Sequence, residues 1–180
     1  MLFFSDHGDL MGSHGQFRKT SPYAEAITIP LIIGGGLDAY ELRRGIRRRV
    51  LLNHVDIAPT TLGLCGIRPP DWMEGTDYSA LRIGGPAPSL PDSAYLQSVI
   101  PTGHADSVDR PWRGVVTQEG WKYVSFEKMP FLMFNLNEDP LEQVNLAFNT
   151  RYRAERKRLQ ERLAQWIADT GDTFELPSDL

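Results

Sequence analysis

Leu2-Phe3-Phe4-Ser5-Asp6-His7-Gly8-Asp9-Leu10-Met11-Gly12-Ser13-His14-Gly15-Gln16-Phe17-Arg18-Lys19 is the stretch on which the reading of this chain turns. Its three leading apolar residues have the pattern of a short buried strand. Asp6 and His7 follow at once, and a loop with three glycines carries His14 and Lys19 beyond them. In open α/β sheets, ligands sit past the carboxyl ends of the strands. A carboxylate and an imidazole at such an end, backed by a loop cation, suit a divalent metal bound to an anionic substrate. Asp6 is a hard oxygen donor and His7 a borderline nitrogen donor, a pair compatible with calcium, magnesium, manganese or zinc. Two ligands do not make a site, since zinc takes about four and calcium roughly six to eight. Asp9 and His14 could add donors locally, but their spacing lacks the i, i+4 geometry of helical zinc motifs. Any partners on preceding strands are expected upstream of residue 1. Taken alone, Asp-His-Gly also reads as a turn with an Asx-type hydrogen bond, and Lys19 as a solvated lysine.

Outward from the loop, residues 28–33 (TIPLII) form a second apolar, β-branched run stopped by Gly34-Gly35-Gly36. This pattern predicts a buried strand of a parallel sheet, with Pro30 at an edge or near the strand start. Tyr23 and Glu25 are expected to fix the loop against that strand. A helix should follow Asp56 as N-cap, with Pro59 in its first turn, Ala58, Leu62 and Cys65 on one face and Gly66 at its end. His54 reads as a helix-entry residue rather than a ligand. Residues 69–92 are rich in proline and glycine and read as a linker. Beyond them the pattern becomes all-β, with strands predicted over 94–100, 114–118, 122–127 and 132–136 and a two-residue turn at Glu119-Gly120. A final helix is predicted over 151–168. Tyr152, Leu159, Leu163, Trp166 and Ile167 form its apolar stripe and Gly171 ends it. The fold class is therefore α/β: the tail of a sheet domain over 1–68, then the linker, then a small α+β subdomain over 93–180 with about four antiparallel strands and a terminal helix.

Composition narrows the partners. Among 180 residues, 41% are apolar and 23% charged, with a net charge of −4, so no strong field recruits nucleic acid or an anionic membrane. The one basic run, Arg43, Arg44, Arg47, Arg48 and Arg49, lacks interleaved aromatics and reads as a solvated face. Cys65 is the single cysteine, set among apolar neighbours that suggest a buried thiol. His104 reads as a surface histidine within reach of a pocket rim. No apolar segment approaches the ~20 residues of a membrane span, and no secretory leader is visible. Compartment is left undetermined.

The combination FFSDHGDLMGSHGQFRKTSPYAEAITIPLII, with HVDIAPTTLGLCGI at 54–67, WKYVSF at 121–126 and MFNLNEDPLEQVNLA at 133–147, resembles the C-terminal signature of the sulfatases, in the alkaline-phosphatase-like superfamily. The lysine falls twelve positions after the histidine, as in several members with the Asp-His version. By that resemblance, Asp6 and His7 are two ligands of the divalent metal, usually calcium. The resemblance likewise implies that Lys19 is a catalytic cation contacting the sulfate ester at its leaving oxygen. His14 matches a recurrent loop histidine and is implied, with Lys19, as substrate-binding, without a catalytic role. The family's nucleophile is a formylglycine made from Cys or Ser in a C/S-x-P-x-R motif, which is absent here. The upstream Asp-Asp and Lys/His pairs are absent as well. The resemblance thus covers roughly the last third of a sulfatase and implies an isolated chain without activity. It would be completed by a polypeptide carrying the first two thirds, or would self-associate. The implied substrate is a sulfate ester of a small molecule or sugar. A phosphonate monoester or phosphodiester hydrolase of the same superfamily, or a non-catalytic interaction module, are the alternatives.

Overall fold

Strand β5 (Trp121–Phe126) is buried at five of its six positions, which a sheet with one wet face does not allow. The computed structural model, which describes residues 1–35, 45, 50–86, 89–103 and 105–178, shows why. Strands β3 (Ser93–Ser98), β4 (Trp112–Thr117), β5 and β6 (Met129–Asn135) form an antiparallel sheet in sequence order. Register pairs Val115 with Tyr123 and Tyr123 with Met133, giving one apolar row. Helix α4 (Arg153–Asp169) lays Leu159, Leu163 and Ile167 over that row. Burying such side chains contributes about 1.5–3 kcal/mol each. On the opposite face Trp112, Val124, Phe126, Leu132 and Phe134 meet Tyr23 and Ile27 from the N-terminal loop.

The residues accordingly group into two interleaved compact units: Met1–Asp6 with Ile29–Asp92, and His7–Thr28 with Ser93–Leu180. The loop after the first strand therefore belongs with the C-terminal sheet.

Within that unit the ends of α4 are set by local chemistry. The Asn149 side chain accepts from the Arg151 N–H ahead of the helix. At the other end Gly171 takes φ 64°, and the Asp172 N–H reaches back to the Ile167 carbonyl, a left-handed stop suited to glycine. The β4–β5 connection takes three residues, 118–120, rather than the expected two. Gly120 takes φ 86° there, as three-residue hairpin loops require. Tyr95, Arg113 and Asp172 close the sheet edge: Asp172 Oδ2 accepts from the Tyr95 hydroxyl at 2.7 Å and Oδ1 from Arg113 Nη2 at 3.2 Å. The Arg113 hydrogen bond is the main cause that holds the Asp172 carboxyl down at about 2, burial opposing it and the Tyr95 bond adding to it. A depressed carboxyl contributes stability that is full above its unfolded value, about 4, and is lost as pH falls through about 2. Thermal unfolding followed from pH 5 to pH 2 should therefore decline more steeply for the wild type than for Asp172→Asn. Parallel curves would remove Asp172 from the acid response.

The other unit corrects several expectations. β1 (Leu2–Phe4) and β2 (Leu31–Ile33) pair antiparallel, Leu2 opposite Ile33, not as neighbours in a parallel sheet. Pro30 immediately precedes β2, at the strand start. Both strands were expected to be buried, yet Phe3 is 54% and Ile32 53% exposed, because two strands among the described residues cannot cover both of their faces. Helix α2 (Ile57–Leu64) follows a 3₁₀ turn at His54–Asp56, so His54 is indeed a helix-entry residue. Asp56 stands at the N-cap position of α2 as expected, but its side chain makes no cap bond there; it instead answers Asn53 in a capping box on the 3₁₀ turn. Asp56 is buried and also accepts from the Thr76 N–H at 2.7 Å. Burial raises its carboxyl above the ordinary value, and the Asn53 and Thr76 hydrogen bonds oppose that rise. The buried face of α2 is Pro59 and Thr60, not the expected Ala58, Leu62 and Cys65. Thr60 donates to the Thr76 carbonyl and accepts from the Tyr78 N–H, so that face is polar and binds the following loop. Cys65, at the helix end on the other side, is exposed rather than buried. The stretch at 69–92 contains helix α3 (Ala80–Ile83) and these ties to α2. The arginine run at 43–49 and His104 lie outside the described residues. No helix among the described residues is long and apolar enough to cross a membrane.

Candidate functional site

Residues 7–28 fold as a loop that doubles back on itself. The Leu10 N–H donates to the Arg18 carbonyl at 3.0 Å, the Gly12 N–H to the Gln16 carbonyl at 2.9 Å, and the Gly8 N–H to the Ala26 carbonyl at 2.9 Å. Asp9 caps the first bend through its Oδ1, which accepts from the Met11 N–H, an Asx-type contact. Leu10 is buried and plugs the ring. Gly8 has no room for a side chain, since a Cβ there would lie 1.9 Å from the Glu25 carbonyl oxygen. Met11, His14 and Arg18 take left-handed backbone (φ 47°, 54° and 68°), costing roughly 1–2 kcal/mol each. Strain of this kind concentrates at functional segments and persists where surrounding structure holds it.

The holding contacts come from the C-terminal sheet and its β3–β4 connection. Trp112 Nε1 donates to the Thr20 carbonyl at 2.8 Å, and the Phe17 N–H donates to the Asp106 carbonyl at 2.8 Å. Tyr23 tilts against Phe134 with ring centroids 6.1 Å apart. Tyr23 and Glu25 were expected to fix the loop against the strand that follows it. Instead they hold His14: its ring stacks on Tyr23 at 3.7 Å and 7°, and its Nε2 lies 3.7 Å from Glu25 Oε1. Burial raises the Tyr23 phenol above its ordinary value, with the Glu142 and Glu25 carboxylates adding to the shift.

Lys19 and His7 meet directly. Lys19 Nζ lies 2.9 Å from His7 Nε2, and His7 Nδ1 lies 2.6 Å from the Gly8 carbonyl oxygen. An ammonium only donates and a carbonyl only accepts, so the contacts assign the tautomer: Nδ1 carries the proton and Nε2 presents its lone pair. Fixing a ring through a backbone carbonyl in this way is how metal-binding histidines are oriented. Asp6, next in sequence, is exposed, and the Ser5 hydroxyl donates to its Oδ1 at 3.4 Å. Asp6 and His7 thus fit a divalent metal in donor type, and His7 also in tautomer. Among the described residues no group of three or more His, Cys, Asp or Glu gathers as a metal set. These residues fit as part of a ligand set, not a whole one.

The family model for the C-terminal part of N-sulphoglucosamine sulphohydrolase matches residues 12–169. The chain belongs to the sulfatase family, as a C-terminal portion. It is 30% identical over 177 residues to the Ulvan-active sulfatase of Formosa agariphila, covering 97% of the chain and 34% of that protein. The solved structure of BT1596, a 2-O GAG sulfatase, superposes with a TM-score of 0.79 at 23% identity, over 95% of the chain and 36% of its own. The phosphonate monoester hydrolase of Agrobacterium radiobacter gives a TM-score of 0.72 at 24% identity, over 93% and 34%. At these identities the two structures establish the fold alone. This sulfatase portion spans about a third of the length of the relatives it matches. The expected fold class, an α/β tail followed by four antiparallel strands and a helix, agrees with them.

Proposed function

We propose that this sulfatase portion supplies one side of a metal-dependent ester-hydrolase site, acting on a sulfate ester of a sugar or another small molecule. The Lys19–His7–Gly8 hydrogen-bond series carries the reading. It presents one imidazole lone pair in a fixed tautomer beside a cation, the arrangement needed where a metal and an anion meet. Asp6 and His7 are the metal ligands in this account, calcium being the preferred ion and manganese, magnesium and zinc the others that suit the donors. When bound, the metal polarises an ester oxygen as a Lewis acid. Lys19 faces the ester anion and offsets charge that develops on the leaving oxygen. His14, stacked on Tyr23 and facing Glu25, serves to hold the loop. The nucleophile, a formylglycine by family resemblance, and the remaining metal ligands belong to polypeptide outside these 180 residues, the partner that completes the site. Sulfated substrates are favoured by the names of the relatives, one Ulvan-active and one a 2-O GAG sulfatase.

The same residues suit a tetrahedral anion centred on phosphorus, so the test uses two substrates. The chain, joined to or mixed with the rest of the family's domain, should hydrolyse an aryl sulfate faster than an aryl phosphonate. Chelation should stop turnover and calcium restore it. Turnover indifferent to chelation would overturn the reading, and preference for the phosphonate would replace sulfur with phosphorus.

A further inference from the structure

Lys122 and Glu142 form an ion pair in which each side chain is 1% exposed, with Nζ 2.6 Å from Oε1. Burying two charges costs several kcal/mol per ion, and apolar replacements of similar volume are often as stable. Stability alone is therefore a poor reason for the pair to be there. Burial pushes the Lys122 ammonium below the ordinary lysine value, and the Glu142 and Glu25 carboxylates oppose that shift.

The second oxygen of Glu142 does something a simple ion pair does not require. Oε2 accepts from the Ala24 backbone N–H at 2.9 Å. Ala24 opens helix α1 (Ala24–Ile27), follows Tyr23 directly and stands five residues beyond Lys19. Glu142 reaches it from a left-handed backbone, φ 55°. That turn is held by Asp139, whose two oxygens accept from the Gln143 and Val144 N–H groups. We propose that Glu142 is a positioning residue for the loop that bears His7, His14 and Lys19, with Lys122 as its buried counter-ion. One carboxylate oxygen neutralises the charge, and the other pins the point where the loop turns into α1. Pinning Ala24 fixes Tyr23 and Glu25 on either side of it, and through them the His14 ring. Only the value of holding Lys19 in place beside a substrate rests on the proposed hydrolase; the anchor itself is a matter of geometry.

Hydrogen exchange read by mass spectrometry on the protein tests the anchor without any activity assay. Glu142→Gln should raise exchange in peptides covering 10–28 about tenfold and leave those covering α4 unchanged. The double replacement Lys122→Met with Glu142→Leu removes the buried charges together. It should keep the thermal midpoint within a few degrees, yet show the same rise over 10–28. In proton NMR, the His14 ring signals should lose the upfield displacement that stacking on Tyr23 imposes. The proposal is overturned by unchanged exchange over 10–28 in both variants. It is equally overturned by a matching rise in α4, by a collapsed midpoint in the double variant, or by a wild-type segment 20–28 that is already unprotected.

Discussion

Replacing Lys19 by alanine should lower kcat for a sulfate ester by about 10²–10³, the usual cost of removing one donor aimed at developing charge. The assay is made with the polypeptide that supplies the rest of the family's domain. Lys19 is exposed and its ammonium stands 2.9 Å from His7 Nε2, so its loss removes a cation without opening a cavity. The same geometry gives a second, signed expectation. In this structure the Lys19 proton occupies the lone pair that His7 would offer a metal. Removing Lys19 should then leave metal affinity unchanged or stronger while turnover falls. A structural role would weaken both together, and an unchanged rate would strip Lys19 of its place in the chemistry.

Much of the fold was legible because its signals are local. The four strands and α4 lie within a few residues of the predicted spans, and Leu159, Leu163 and Ile167 are the buried stripe that helical spacing implied. Gly171 ends the helix as predicted, since a left-handed stop is a property of one residue. Two features needed more than local pattern. β1 and β2 carry apolar residues on both faces, which implies a covered sheet but says nothing of strand direction; they pair antiparallel. On α2 the apolar face was chosen by hydropathy, whereas Asp56 and Thr60 are buried by hydrogen bonds to a loop some twenty residues away.

At the candidate site, Asp6, His7, His14 and Lys19 were singled out by donor type together with the resemblance to the sulfatase ending, and the structure sets His7 against Lys19 and His14 against Tyr23 and Glu25. Their support could not. Trp112 holds Thr20 across 92 positions and Glu142 holds Ala24 across 118. No periodicity reports a contact of that range. The signal that existed was the segment Asp139-Pro140-Leu141-Glu142-Gln143-Val144-Asn145-Leu146, whose polar residues recur in the family ending. Their work is now visible: Asp139 closes the turn and Glu142 anchors the loop. Asn145 accepts from the Met133 and Ala147 N–H groups and donates to the Phe131 carbonyl. Gly8 closes the Asp-His-Gly tripeptide, and its close approach to Glu25 supplies a packing reason for a glycine there.

The largest expected effect concerns the metal. The account gives this chain two ligands, Asp6 and His7, and no group of three or more among the described residues. A calcium site takes roughly six to eight oxygen ligands, and even the weak end of complete natural sites binds at about 10⁻⁴–10⁻³ M. His7 Nε2 must also give up the Lys19 proton before it can coordinate. Calorimetric titration of the 180-residue chain with calcium, and then with manganese, is the direct measurement. The account predicts heats no larger than dilution, or binding no tighter than about millimolar. Stoichiometric one-site binding at micromolar concentrations, lost in Asp6→Ala, would contradict it and make the chain a complete metal site.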